Sequence, residues 1–229
     1  MVTVRFLFIC ILAQLSTWLV PTTLVAYDAT VEPVLVPYEA VRIVIDTQAT
    51  KVILGELQHS PEMYEIVVDA TSTLAVDIRA VPTTGTQPTF TGIIIKQKEI
   101  RGIEAVARLS ATDASWKQLI DHATGLPYLA GPYFNETLTP GTYQIEVSNP
   151  NNQGKYLLVI GSGSDVQGFF ASFQAVKATY QFYGASKLGM LYSPYIYIPV
   201  GSLVALLLMA VIIYKILRLF RKRVSTNHV

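Results

Sequence analysis

From Val31 to Gly161 the chain is a succession of short apolar runs rich in Val, Ile, Leu and Tyr, each broken by Pro, Gly, Asn, Asp or Ser. Such runs predict strands rather than helices. They are "PVLVPY", "AVRIVID", "KVILGEL", "MYEIVVDA", "TLAVDIRAV", "FTGIIIKQ", "AVARLSA", "YFNETL", "TYQIEVS" and "KYLLVIG". Strict alternation assigns faces in two of them. Val41, Ile43 and Ile45 point one way, opposite Arg42, Val44 and Asp46; Leu74, Val76 and Ile78 oppose Asp77 and Arg79. Strands with one apolar and one polar face, too closely spaced for crossover helices, predict a mostly antiparallel all-β domain, a β-sandwich or jelly roll over residues 27–163. The one interruption is "ATDASWKQLIDHAT", residues 111–124, where Trp116, Leu119 and Ile120 fit one face of a short helix or helical turn.

Beyond Gly161 the period changes. Phe169, Phe170, Phe173, Val176, Tyr180 and Tyr183 recur at helical spacing, with Gln and Lys filling much of the remaining surface. This predicts an amphipathic helix over 164–184. "SDVQ" places Ser164 as its N-cap with Gln167 three residues on, a capping box, and Gly161 and Gly163 read as a hinge before it. The helix is expected to lie against the outer leaflet or a partner span, with packing on the sandwich as the alternative. An aromatic linker, 185–195, leads to Ile196–Tyr214, nineteen residues without a charge, and a transmembrane helix is expected over 196–217. Tyr192, Tyr195 and Tyr197 stand at its start, where amphipathic rings favour the headgroup layer; with Phe169, Phe170, Phe173 and Tyr180 they form the expected membrane-proximal anchor.

Charge then orients the chain. Lys215, Arg218, Arg221, Lys222 and Arg223 follow the apolar stretch, in and just before a basic tail at 218–229, whereas no basic residue precedes that stretch more closely than Lys187. By the positive-inside rule the tail is cytoplasmic. All sixteen acids lie between Asp28 and Asp165, against eleven Lys and Arg from Arg42 to Lys187, so the net charge of +1 joins a negative domain to a positive tail. The tail suits anionic lipid, and no nucleic-acid role is expected. At the other end Arg5 precedes an apolar run from Phe6 to Val20, which predicts an export signal over 1–26, cut after Ala26 or after Ala29, with an uncleaved signal anchor as the alternative. Cys10 follows the bulky Ile9 inside that run and does not frame a lipoprotein site. Without the signal no cysteine remains, so no disulfide is expected.

Chemistry-bearing motifs are sparse. Gly161 and Gly163 begin a dinucleotide fingerprint, but Val166 occupies its third glycine position, and the stretch ends a β domain instead of opening a βαβ unit. His59, His122 and His228 show no metal-ligand spacing. Asp121 and His122 near Ser110 and Ser115 read as polar loop residues, since no nucleophile motif frames either serine. Asp46, Asp69 and Asp77 lack the alternating oxygen ligands of a calcium loop. Asn135 in "NET" matches a glycosylation sequon. No catalytic, cofactor or metal site is expected.

The segment "LTPGTYQIEVSNPNNQGKYLLVIG" carries a glycine turn, a Tyr-containing strand and a second strand opening "GKY". It resembles the closing hairpin of the bacterial pre-peptidase C-terminal type of β-sandwich, and the likeness covers Tyr133–Gly161. The layout of the whole chain is also similar to that of bacterial type I membrane proteins, and to that of eukaryotic cargo receptors with a Golgi-dynamics sandwich. The first resemblance implies an accessory, non-catalytic domain. The sequence thus predicts a cell-membrane protein with one span and its N-terminal domain outside. Its sandwich is expected to be a binding or adhesion module for a protein or glycan, or else an accessory subunit of an envelope complex. A hydrolase is the remote third reading.

Overall fold

The structure, a computed structural model, describes residues 27–226 except 33–35, 45–48, 86, 99–101, 162 and 164–167; the side chains of 216, 217 and 219–226 are also outside the description. The chain forms two units, one holding the described residues up to Ser193 and one holding the helix that starts at Pro194.

The first unit is a β-sandwich. One sheet contains β1 (Asp28–Thr30), β3 (Lys51–Gln58), β5 (Ser72–Ala80), β8 (Lys117–Ile120), β9 (Pro127–Leu138) and β11 (Gln153–Ile160), in the order β1-β3-β11-β5-β9-β8. The other contains β2 (Ala40–Arg42), β4 (Glu62–Val68), β6 (Thr91–Gln97), β7 (Ile103–Leu109) and β10 (Gly141–Ser148), in the order β2-β4-β10-β6-β7. Pairing is antiparallel except at two edges, where β1 joins β3 and β2 joins β4 in parallel.

Alternation dictates the core. Ile53, Tyr64, Ile66, Leu74, Val76, Ile78, Ile94, Ile145, Tyr156, Leu158 and Ile160 turn inward and are fully buried. Burying a side chain of this size stabilises the fold by about 1.5–3 kcal/mol before entropy is counted. The expected faces of the Leu74–Ile78 strand are those observed, and Ile43 is buried while Val44 is exposed; Ile45 and Asp46 lie outside the described residues.

A cluster of polar atoms sits within this core. Glu62 Oε2 accepts hydrogen bonds from the Tyr64 hydroxyl at 2.7 Å and the Tyr156 hydroxyl at 2.5 Å, and the two phenol oxygens are 2.8 Å apart. Burial, reinforced by neighbouring negative charge, pushes both phenols well above their ordinary range. The cluster joins the sheets, because Tyr64 stands on β4 and Tyr156 on β11. Gly55 on β3 makes room for it: a Cβ there would collide with the Tyr156 ring.

Three expectations need correction. The run 111–124 is not one helix. A 3-10 turn at Ala111–Asp113 gives way to β8 on the edge of its sheet, so Trp116, Leu119 and Ile120 do not share a helical face. Trp116 instead turns inward and donates its indole N–H to Ala111 O at 3.0 Å, while Ile120 is exposed. The closing pair of strands is not a hydrogen-bonded hairpin either. β10 pairs with β4 and β6, β11 pairs with β3 and β5, and the link at 149–152 crosses from one sheet to the other. The crossing suits the sequence, because Tyr143, Ile145 and Val147 must meet Tyr156, Leu158 and Ile160 face to face in one core. Finally, "PVLVPY" does not end in a strand: Val36, Pro37 and Tyr38 form a turn, and 33–35 lie outside the described residues.

Helix α1 (Phe169–Tyr183) follows. The capping box expected at Ser164 and Gln167 lies outside the described residues; Gly168 occupies the N-cap position of the described helix. The helix belongs to the sandwich unit. Val52, Leu54, Leu157 and Val159 are buried outside the core cluster, and α1 buries Ser172, Ala175, Val176, Thr179 and Tyr180 while packing against β1. Two bonds fix it to the N-terminal strand: Tyr27 N–H donates to Ser172 Oγ at 3.2 Å, and the Tyr27 hydroxyl meets Thr179 Oγ1 at 3.1 Å. The packed stripe is thus rotated from the aromatic one that spacing suggests. Small residues let helix and sheet approach closely, and Phe169 and Phe170 are left exposed. Of the two placements the sequence allows for this helix, packing on the sandwich is the one adopted.

The second unit, as described, is helix α2 (Pro194–Thr226), whose Pro194–Lys215 stretch is long and apolar enough to cross a membrane. At the α-helical rise its 22 residues extend about 33 Å.

Candidate functional site at the exit of the sandwich

The loop joining β8 to β9 is organised by one carboxylate. Asp121 Oδ1 accepts from Ala123 N–H at 2.9 Å, Thr124 N–H at 2.8 Å and the Thr124 hydroxyl at 3.0 Å. Backbone bonds from Gly125 N–H to Asp121 O and from Asp121 N–H to Leu126 O complete the turn. Gly125 has φ +75°, which favours glycine, and a Cβ there would press on Tyr192. An Asp that caps its own loop in this way is a common turn device.

The other carboxylate oxygen, Oδ2, faces Arg79 on β5 at 3.7 Å, while Arg79 Nε donates to Asp77 Oδ2 at 2.6 Å. The guanidinium also lies 4.4 Å from the centre of the Tyr128 ring. Burial alone would lower its pKa, but the attraction of Asp77 prevails and the group is held above its ordinary value. Two phenols nearby, Tyr27 and Tyr183, are pushed up mainly by burial and then by the charge of Asp121.

Capping turns two carbonyls of the loop toward the chain's exit. The Tyr180 hydroxyl donates to Thr124 O at 2.9 Å and also lies 2.7 Å from Gly189 O. The Ser193 hydroxyl donates to Ala123 O at 2.6 Å. Between them runs a 3-10 segment, Lys187–Tyr192, whose N-cap Ser186 accepts from Leu188 N–H. The last turn of α1 is tied down separately: Lys155 donates to Phe182 O at 2.7 Å, with its ammonium over the Phe182 ring at 5.1 Å. Arg79, Asp121, the loop carbonyls, Tyr180 and Ser193 therefore form a continuous polar joint from the sheet to the residue before the apolar helix.

The expected anchor residues are distributed over three elements. Tyr180 is buried in the joint; Phe173 is half-buried on α1; Phe169 and Phe170 pack edge to face at the other end of that helix. Tyr192 is exposed, 78% of its surface being open, as are Leu188 and Leu191 beside it, whereas Tyr195 and Tyr197 belong to α2. Lys215 and Arg218 are exposed on α2; the side chains of Arg221, Lys222 and Arg223 lie outside the described residues. The segment 1–26 is likewise outside them. Asp121 and His122 share a loop, but the Asp121 carboxylate is taken up by backbone and Arg79, and Ser110 caps the 3-10 turn at 111–113. Sequence reasoning missed the joint because its acceptors are main-chain carbonyls; the "D-x-x-T-G" spacing of Asp121, Thr124 and Gly125 was its one visible sign.

Fold and joint together define a class: a two-sheet β-sandwich with an appended helix, followed by one apolar helix near the C-terminus. Among solved structures the chain is similar to the pre-peptidase C-terminal domain of collagenase from Bacillus anthracis, the family that its closing segment resembles. Identity is 18%, the match covers 55% of this chain and 95% of that domain, and the TM-score is 0.33. No family model matches the chain, and no curated protein matches it.

Proposed function

We propose that the protein is a single-pass, type I membrane protein of the cell membrane, with its signal removed and its C-terminus cytoplasmic, whose sandwich is a non-catalytic binding module displayed outside the cell. One observation carries the reading: the 22-residue apolar helix begins at Pro194, immediately after Ser193, which is bonded to a sandwich loop. The basic residues from Lys215 onward support a cytoplasmic tail. Non-catalytic status is supported by the use of Asp121 and Ser110 as turn caps.

The test is single-cysteine labelling in intact cells after Cys10→Ser. Asn151→Cys should react with an impermeant maleimide from outside, and Ser225→Cys only after lysis. The reverse pattern, or release of the protein by carbonate, would discard the reading. A second reading, an accessory subunit of a membrane complex, is supported by Phe170, which leaves 81% of its surface open on α1. Photocrosslinking from that position in membranes to one defined protein would favour it.

A further inference from the structure

We propose that the sandwich binds a neutral, hydroxyl-rich glycan in the groove lined by Thr83, Gln87, Thr89, Asn149 and Asn151. This deepens the binding-module reading and rests on it. The groove has a volume of about 390 Å³ and opens to solvent, within the range of small-ligand sites. Lys155 forms part of its wall and also holds the last turn of α1, so the groove lies near the end of that helix.

The groups around it select the ligand class. Among the described residues no carboxylate lines the groove, and the cation in its wall, Lys155, donates to the Phe182 carbonyl and lies over its ring. The walls therefore offer no carboxylate to a metal ion, and a single cation that is already held by Phe182 to an anion. Asn149 and Gln153 are also engaged. Asn149 Oδ1 accepts from the Asn151 and Gln153 backbone, and the Gln153 amide meets His59 Nε2 at 2.8 Å. Among the described residues, the Gln87 and Asn151 amides and the Thr89 hydroxyl line the groove without a hydrogen-bond partner. Each amide presents donors and an acceptor side by side. Adjacent hydroxyls of a sugar present the same mixture, and Pro88, Val81 and Ala80 supply apolar surface for its C–H faces.

A peptide bound by strand addition would need an open strand edge. None is available there: β5 is paired on both sides, by β11 and β9, and β11 on both sides, by β3 and β5.

The glycan has two sources, free oligosaccharide or the headgroup of a neutral glycolipid, and the experiment separates them. Full-length protein in phosphatidylcholine nanodiscs is titrated with lactose and mannobiose. In parallel, saturation-transfer NMR is recorded on nanodiscs containing digalactosyl diacylglycerol. Saturable binding in one arm identifies the source. Gln87→Ala and Asn151→Ala, both at exposed positions, should each weaken it about 3- to 10-fold, as loss of one hydrogen bond does, with melting temperature unchanged. The proposal falls if neither arm binds, if both variants bind like the parent, or if a sulfated sugar competes better than a neutral one. Failure of the underlying reading looks different: the protein would not be held by the nanodisc at all.

Discussion

The Ser193 hydroxyl lies 2.6 Å from the carbonyl oxygen of Ala123, seventy residues earlier in the chain. A residue that sequence alone places in an aromatic linker is thus bonded to a loop of the sandwich, one peptide bond before an apolar helix. The joint behind it gives the first two predictions.

Removing its hydroxyls should loosen the exit without unfolding the domain. Tyr180→Phe and Ser193→Ala are each expected to cost about 1 kcal/mol, and together to raise amide hydrogen exchange across 186–193 while β10 and β11 stay protected. Unchanged exchange in the double variant would show that packing, not these bonds, holds the segment.

At Asp121 the conservative change separates charge from geometry. Asp121→Asn keeps an acceptor for the Ala123 and Thr124 N–H groups, so its cost should be about 1 kcal/mol. Asp121→Ala strands those donors and should cost about 2–3 kcal/mol. Equal midpoints for the two variants in urea would contradict the capping role.

Gly161 has φ +92°, and a Cβ there would collide with the Ala49 carbonyl. Its N–H donates to Ala75 O at 2.8 Å. Gly161→Ala should therefore destabilise the domain by about 3 kcal/mol or more, combining left-handed backbone strain with a displaced neighbour. The readout is sensitivity of the folded domain to protease. A mild effect would mean that the 49–50 segment yields easily.

Alkaline pH should act through the buried phenols. Tyr27, Tyr64, Tyr156 and Tyr183 are all raised above the ordinary 10.0, chiefly by burial. A raised pKa means that the native state holds its proton where the unfolded chain releases it. The stabilisation is complete below pH 10 and falls as pH rises above it, by about 1.4 kcal/mol per unit for each phenol. The denaturation midpoint should be level to pH 9 and drop steeply beyond 10. A fall already evident at pH 8 would point to other groups.

Much of the fold was legible because burial imposes a period. Leu74, Val76 and Ile78 declare their face, and the uncharged run from Ile196 declares a helix. Elsewhere the pattern was real but its partner was hidden. Tyr143 and Tyr156 flank a turn, and nothing local states that their strands join different sheets. In α1 the bulky stripe suggested the packed face, whereas Ser172, Ala175 and Thr179 make the contact because they are small. Lys117–Ile120 lacks a buried face altogether, so alternation could not distinguish an edge strand from a helical turn. The groove was invisible for another reason. Gln87 and Asn151 are 64 positions apart and meet only through the crossing of the chain between sheets.

That crossing also governs when the domain is able to fold. β10 inserts between β4 and β6, and β11 between β3 and β5, so each sheet receives its middle strand last. Until residues 141–160 have been delivered, β3, β4, β5 and β6 present open edges, and neither sheet is complete. During synthesis, closure is thus a terminal event, and open strand edges are exposed to mispairing until the final strands emerge.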